Sequence, residues 1–116
     1  MNLRAEAFKL SQGKIVLFKA LGGSMEPLIH SGATVTVSPV KRFKNTGDQP
    51  LPIGRPFQMC GKGSMYLEVG DIVLCKVNGN YYLHKIVAIT SDYRYQIGNN
   101  KGRINGYASA IYGMVI

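Results

Sequence analysis

Two residues of this chain could form a nucleophile and its base. Ser24 lies in the stretch GGSMEPLIHSG, where two glycines precede it and Pro27 follows three residues later, so the backbone must bend there. A serine hydroxyl attacks a carbonyl only when a neighbouring base removes its proton and donors stabilise the oxyanion. His84, in the run YYLHKIV, lies where a β-strand would hold a base firmly. The alternative is that Ser24 is a turn residue and His84 makes a single structural hydrogen bond.

Each member of this pair has a rival in the sequence. The second histidine, His30, follows Ser24 by six residues within the same glycine-rich stretch. The tripeptide Gly-Ser-Met occurs twice, so Ser64 has a context similar to that of Ser24, although no proline follows it.

Two cysteines, Cys60 and Cys75, are too few and too irregularly spaced for a disulfide framework or a zinc site. We therefore expect reduced, buried thiols, and no metal or cofactor.

Short antiparallel strands must position these residues. The turn Asn78-Gly79 lies between two apolar runs, which is a strong hairpin signal. Other apolar runs are bounded by turn residues, and no long helix connects them, so we predict a mainly β fold: a small antiparallel barrel or sandwich. The predicted strands cover 14–21, 33–40, 69–77, 81–89, 92–98 and 111–116, and a further strand could lie within 55–63.

The rest of the chain reads as one short helix and two loops. Leu3, Ala7 and Leu10 recur at helical spacing, which predicts an N-terminal helix over 3–12 that Gly13 ends. Residues 41–56 are polar with three prolines and two glycines, which is typical of an insertion loop, and 99–110 is a second loop rich in asparagine and glycine. A length of 116 residues predicts a single domain over 1–116.

The composition favours a polyanionic partner. Fourteen basic and six acidic residues give a net charge of +8, and the isoelectric point is about 9.7. Long-range attraction of this kind favours nucleic acid or an anionic membrane surface. No run approaches the roughly 18 apolar residues of a membrane span, and the N-terminus lacks a signal-peptide pattern, so we expect no transmembrane segment and a cytoplasmic location.

Three stretches, taken in order, carry a family resemblance. Residues 24–27 read Ser-Met-Glu-Pro, residues 70–73 read Gly-Asp-Ile-Val, and residues 83–86 read Leu-His-Lys-Ile. They resemble the serine box, the Gly-Asp turn-and-strand box and the base-bearing strand of the signal peptidase and SOS-repressor autopeptidase superfamily. The last stretch is similar to the histidine branch, found in archaeal and endoplasmic-reticulum signal peptidases. The resemblance covers most of 15–116.

The resemblance implies a fold, a mechanism and a substrate. The fold would be a small, coiled antiparallel β-barrel or sandwich with a short N-terminal helix, and the activity that of a serine endopeptidase. Ser24 would be the nucleophile, His84 the base, and the backbone N–H groups of Ser24 and Gly23 the oxyanion donors. An extended peptide or protein substrate would lie along 17–23, whose small lining would admit small residues. The residues expected to bind it are Gly22, Gly23, Met25 and Pro27.

The chain also departs from the family pattern. The histidine branch places an aspartate in the next box to orient the imidazole, whereas this chain has amides, Asn99 and Asn105, at both corresponding positions. Replacing that aspartate by asparagine in a triad protease lowers kcat by about 10⁴. We therefore expect a weak Ser–His pair or a domain that has lost catalysis. Lys85 is a substitute base in principle, but strand alternation points it away from the face of His84.

A second hypothesis needs no catalysis. Basic and aromatic residues interleave in the C-terminal half, as they do in small β-barrels that bind single-stranded RNA or DNA by stacking bases above a basic groove. The basic residues expected to contact phosphates are Lys85, Arg94, Lys101 and Arg103. A third possibility, a peptide-binding module without cleavage, shares its groove with the first hypothesis. The sequence leaves the substrate and the oligomeric state open.

Overall fold

The computed structural model describes residues 3–23, 25–41, 58–59, 67–91 and 94–116. Several residues named from the sequence lie outside these ranges. They are Ser24, Ser64 and Cys60, together with nearly all of the insertion loop 41–56 and most of the possible strand 55–63.

The described chain is built mainly of short strands. One helix, α1, covers Arg4–Ser11, within the range that its apolar spacing predicts. No helix in these ranges has the length and apolar character that a membrane crossing needs. The strands are β1 (Val16–Lys19), β2 (Thr34–Lys41), β3 (Gln58–Met59), β4 (Ile72–Val77), β5 (Asn80–Ile89), β6 (Tyr95–Gly98), β7 (Ile104–Tyr107) and β8 (Ala110–Val115).

The strands form one antiparallel sheet in the order β1-β2-β8-β4-β5-β6-β7, with β3 paired to β2. Within the described residues, the path ends at β1 and β7, which do not pair with each other. The sheet therefore stays open and is broadly sandwich-like. The predicted mainly β fold is confirmed, in its sandwich form rather than as a closed barrel.

Two apolar clusters cover opposite faces of this sheet. Because side chains alternate along a strand, Leu74 packs into the cluster that contains α1, whereas Val73 and Cys75 pack into the other. Helix α1 contributes Ala7 and Leu10 to the first cluster. Burial raises the pKa of the Cys75 thiol to about 12, so this thiol stays protonated.

The predicted hairpin between β4 and β5 is confirmed. Asn78 and Gly79 have φ angles of 49° and 85°, which place both in the left-handed region. A two-residue turn with both residues in this region matches the twist of the flanking strands. The hairpin puts His84 opposite Val73, in the middle of the sheet.

The prediction of a continuous loop over 99–110 is wrong, because β7 lies within it. Asparagine and glycine are poor strand formers, so the sequence of β7 carries little local signal. Pairing with β6 nevertheless draws Ile104–Tyr107 into the sheet, with Gln96 opposite Tyr107. This added strand brings Asn105 into the sheet two strands away from His84.

Candidate functional site

The loop that carries position 24 is closed at its base and held by two buried side chains. The N–H of Ala20 donates to the carbonyl of Ala33 (2.9 Å), and the N–H of Gly32 donates to the carbonyl of Ala20 (2.6 Å). Met25 and Ile29 are buried in the cluster that contains α1. Residues 20–23 and 25–33, called here the serine loop, therefore form a compact excursion between β1 and β2.

A pocket of about 220 Å³ lies between this loop and β5. Its lining includes Gly22 and Met25 from the serine loop and His84 from β5. Ser24 lies outside the described residues, but the chain on both sides of it reaches this pocket. Two of the four residues expected to bind substrate thus line the pocket, whereas Gly23 and the exposed Pro27 do not.

Two contacts hold the imidazole of His84: a ring stack with Tyr82 and a hydrogen bond to Asn105. Its residue is 9% exposed, and its ring stacks on that of Tyr82 with centroids 5.1 Å apart. Its Nδ1 lies 2.7 Å from Oδ1 of Asn105. A carbonyl oxygen can only accept a hydrogen bond, so Nδ1 carries the hydrogen in this pair, and in the neutral ring the basic lone pair is on Nε2. This is the tautomer that a general base requires.

A β-bulge brings Asn105 to His84. Ile97 lies opposite Gly106, and Gly98 lies opposite Ile104, so β7 advances two residues while β6 advances one. Asn105 is the extra residue on β7. A bulge re-aims a side chain, and here the Asn105 amide meets a histidine from β5 across the end of β6.

Gly98 is the residue that lets the strands approach at this bulge. A Cβ atom at position 98 would lie 2.8 Å from the backbone carbonyl oxygen of Arg103, closer than real contacts allow. The same turn is closed by the N–H of Asn99, which donates to that carbonyl at 2.9 Å. A side chain at position 98 would therefore push β7 away from β6, and Asn105 with it.

The second amide named from the sequence has a different role. Oδ1 of Asn99 accepts the backbone N–H groups of Lys101 (2.9 Å) and Arg103 (3.0 Å). These two bonds fix the turn between β6 and β7. Of the two candidates for orienting His84, the structure places Asn105 against the imidazole and Asn99 in the turn.

Asn100 is a site residue that the sequence analysis missed. Its Nδ2 donates to the backbone carbonyl of Glu26 (2.8 Å), and its Oδ1 accepts a hydrogen bond from Nζ of Lys85 (3.0 Å). Asn100 therefore ties the turn after β6 to the serine loop. Lys85 is directed to this amide. The only signal in the sequence is that a second asparagine follows Asn99.

The surroundings of His84 favour its neutral form. Burial lowers the pKa of His84 below its usual 6.5, and the positive charge of Arg103 lowers it further, while the hydrogen bond to Asn105 partly offsets both. His30, the other histidine, has a side chain 73% exposed, and its Nδ1 lies 3.5 Å from Oε2 of Glu26. His30 does not line the pocket.

The four basic residues expected to bind nucleic acid differ in their surroundings. Lys101 and Arg103 are exposed in and after the turn that follows β6. The guanidinium of Arg94 lies 4.5 Å from the ring centre of Tyr107, which is 41% exposed. Lys85 contacts Asn100 as described. The other described tyrosines are buried or half-buried (Tyr81, Tyr82, Tyr95 and Tyr112), so exposed charge predominates over exposed rings in this part of the chain.

Within the ranges that the structure describes, no group of three or more His, Cys, Asp or Glu residues could hold a metal ion. Comparison with protein-family models, with curated proteins and with solved structures gives no match for this chain. The resemblance to signal peptidases therefore stays a prediction from the three motifs, and a functional assignment depends on the geometry around His84.

Proposed function

We propose that the chain is a slow serine endopeptidase domain of the signal-peptidase type, in which Ser24 attacks the peptide bond and His84 is the base. One observation carries this proposal. The Nδ1–H of His84 donates to Asn105 at 2.7 Å beside a pocket that also contacts Gly22 and Met25, the residues on either side of the Gly23-Ser24 dipeptide. A base and the approach to a nucleophile thus line one concave surface, and an orienting group is hydrogen-bonded to the base, as an acyl-transfer site requires.

The proposed reaction has two steps. Oγ of Ser24 forms a bond to the substrate carbonyl carbon while its proton passes to Nε2 of His84. The C–N bond then breaks, and His84 returns that proton to the leaving amine, which leaves an ester on Ser24. Water hydrolyses this ester with His84 as base again. The backbone N–H groups of Ser24 and Gly23 are the expected donors to the oxyanion.

Asn105 explains why the proposed activity is slow. Its carbonyl oxygen holds the imidazole in the required tautomer, and the Cys-His-Asn arrangement of papain-like proteases works with an amide in this role. An amide carries no charge, however, so it stabilises the imidazolium of the transition state less than a carboxylate does. The nearby charge of Arg103 disfavours the imidazolium as well. We therefore expect turnover well below that of an enzyme with an aspartate.

A fluorophosphonate probe tests the nucleophile. The probe should add one adduct to the intact mass of the protein, and peptide mapping should place it on Ser24. The variants Ser24→Ala and His84→Gln should abolish labelling. Ser91→Ala and His30→Gln are the matched controls, because both residues are exposed and neither lines the pocket. An adduct that persists in Ser24→Ala, or that maps to Ser64, contradicts the proposal.

We propose single-stranded nucleic acid as a second candidate ligand on a separate observation. Lys101 and Arg103 are exposed on one turn of a chain whose net charge is +8. Charge of this kind attracts phosphate without sequence preference. The salt dependence described in the Discussion tests this candidate.

A further inference from the structure

The pocket beside His84 is lined by apolar residues together with two tyrosines and the histidine. Two segments supply most of the wall, and among the described residues the lining holds no Asp, Glu, Lys or Arg. A charged group placed there would lose part of its hydration and would meet no opposite charge among these residues. The lining residues are Leu3 before α1; Ala20, Leu21, Gly22, Met25 and Ile29 from the serine loop; and Tyr81, Tyr82, Leu83 and His84 from β5.

The volume of the pocket sets the size of its occupant. A cavity of about 150 Å³ lined by Leu, Ile and Phe binds benzene, whereas pockets for drug-sized molecules begin at about 300 Å³. The pocket here, at about 220 Å³, falls between them. It is therefore larger than an alanine side chain needs and suits one side chain of leucine, methionine or phenylalanine size.

The pocket opens to solvent and has a buried floor. Leu21 at its rim is 62% exposed, and Tyr81 and Tyr82 are half-buried. Met25 and Leu83, in contrast, are buried in the cluster that contains α1. A side chain can therefore enter from outside and cover apolar surface without opening the core.

We propose that this pocket binds one uncharged apolar side chain of leucine, methionine or phenylalanine size, presented by a peptide. This differs from the small residues that the family resemblance implies. The statement that such a peptide is also cleaved rests on the proposed function, whereas the binding preference does not. The main-chain atoms of the bound residue would lie between the serine loop and His84, because those two elements form the pocket walls.

Blocked amino acids test the preference without any cleavage. The Ser24→Ala variant, labelled with ¹⁵N, is titrated with the N-acetyl amides of leucine, phenylalanine, alanine and lysine, and amide shifts are followed by two-dimensional NMR. The leucine and phenylalanine derivatives should shift the amides of Leu21, Gly22 and Leu83. Each buried methylene contributes about a fourfold gain in affinity, so they should bind at least about tenfold tighter than the alanine derivative. The lysine derivative should not bind.

Two leucines of similar exposure provide a matched pair of variants. Leu21→Ala removes the rim of the pocket and should weaken binding of the leucine derivative about tenfold. Leu17→Ala is the control, since Leu17 is 65% exposed on β1 but does not line the pocket. Both positions are exposed, so both variants should fold, and spectral dispersion checks this.

The outcomes separate this inference from the proposed function. Equal or tighter binding of the alanine derivative, no binding of any derivative, or equal loss in both leucine variants overturns the pocket assignment, even if Ser24 reacts with the fluorophosphonate. Tight binding of the leucine derivative by a protein whose Ser24 does not react supports the pocket assignment and overturns catalysis.

Discussion

Replacing Asn105 by aspartate is the perturbation that most directly tests the site. The substitution keeps the shape of the side chain and the oxygen that accepts the Nδ1–H of His84 at 2.7 Å, and it adds a negative charge. A carboxylate at this distance stabilises the imidazolium, so Asn105→Asp should raise the pKa of His84. It should also raise the rate of peptide or ester hydrolysis, if Ser24 and His84 catalyse it.

The geometry sets the size of the effect. Two unit charges 2.7 Å apart attract by about 6 kcal/mol at an effective dielectric constant near 20, which is an upper limit. Burying the carboxylate beside a residue that is 9% exposed offsets part of this attraction. A carboxylate next to a cation typically shifts a pKa by about 1 to 3, which corresponds to about 1.4 to 4 kcal/mol. We expect the change at His84 to fall in that range, with a gain in kcat of up to about 10⁴.

Proton NMR of the imidazole C–H signals measures the pKa directly. The protein has two histidines, so a His30→Gln variant identifies which imidazole signal belongs to His84. Asn99→Asp is the matched control, because it adds the same charge to the neighbouring turn and keeps an oxygen for the two backbone N–H groups. An unchanged pKa in Asn105→Asp, or an equal change in Asn99→Asp, would refute the assignment of Asn105 as the orienting group. A raised pKa without any gain in hydrolysis between pH 6 and 9 would refute catalysis alone.

Three further predictions concern stability, loop order and charge. The pKa of His84 is lowered in the folded protein, so the unfolded chain binds a proton at a higher pH than the folded chain does. The free energy of unfolding, measured by urea titration, should therefore decrease as the pH falls below 6.5. The decrease should be smaller in His84→Gln. Asn100→Ala removes the link to Glu26 and should speed amide hydrogen exchange in the serine loop, with little change in the β4–β5 hairpin; equal acceleration in both would contradict a local role. Affinity for a labelled single-stranded oligonucleotide, read by fluorescence anisotropy, should fall as salt rises, with a log–log slope of roughly −0.7 per phosphate contacted. Neutralising Lys101 and Arg103 should make this slope less steep. No binding near 50 mM salt would assign the charge to solubility.

The elements that the sequence predicted are those with strong local signals. The hairpin at Asn78-Gly79 depends on two residues that adopt positive φ readily, and both do so. Helix α1 depends on apolar residues at helical spacing, which pack against the sheet as expected. Strands β4 and β5 combine that turn with long apolar runs. In each case the information lies within one continuous segment of the chain.

The parts that the sequence did not predict depend on distant pairing. Strand β7 has weak local propensity and forms because β6 offers it hydrogen bonds. The choice between Asn99 and Asn105 depends on a one-residue bulge, which shifts the register of β7 and leaves no periodic pattern in the sequence. The contact between Asn100 and Glu26 joins residues 74 positions apart through a single amide. Single hydrogen bonds between distant loops have no sequence period to reveal them.

The arrangement around His84 separates two properties that a triad aspartate combines. Asn105 fixes the tautomer and the direction of the imidazole, which are matters of geometry, but it supplies no charge to the transition state. Position 105 therefore supplies an acceptor without a charge, and the bulge and Gly98 hold that acceptor in place. A buried imidazole N–H needs an acceptor whether or not the residue is catalytic, so the contact of 2.7 Å fits both a slow enzyme and a structural histidine. The effect of Asn105→Asp on the rate of hydrolysis distinguishes the two, because the added charge should raise the pKa of His84 in either case.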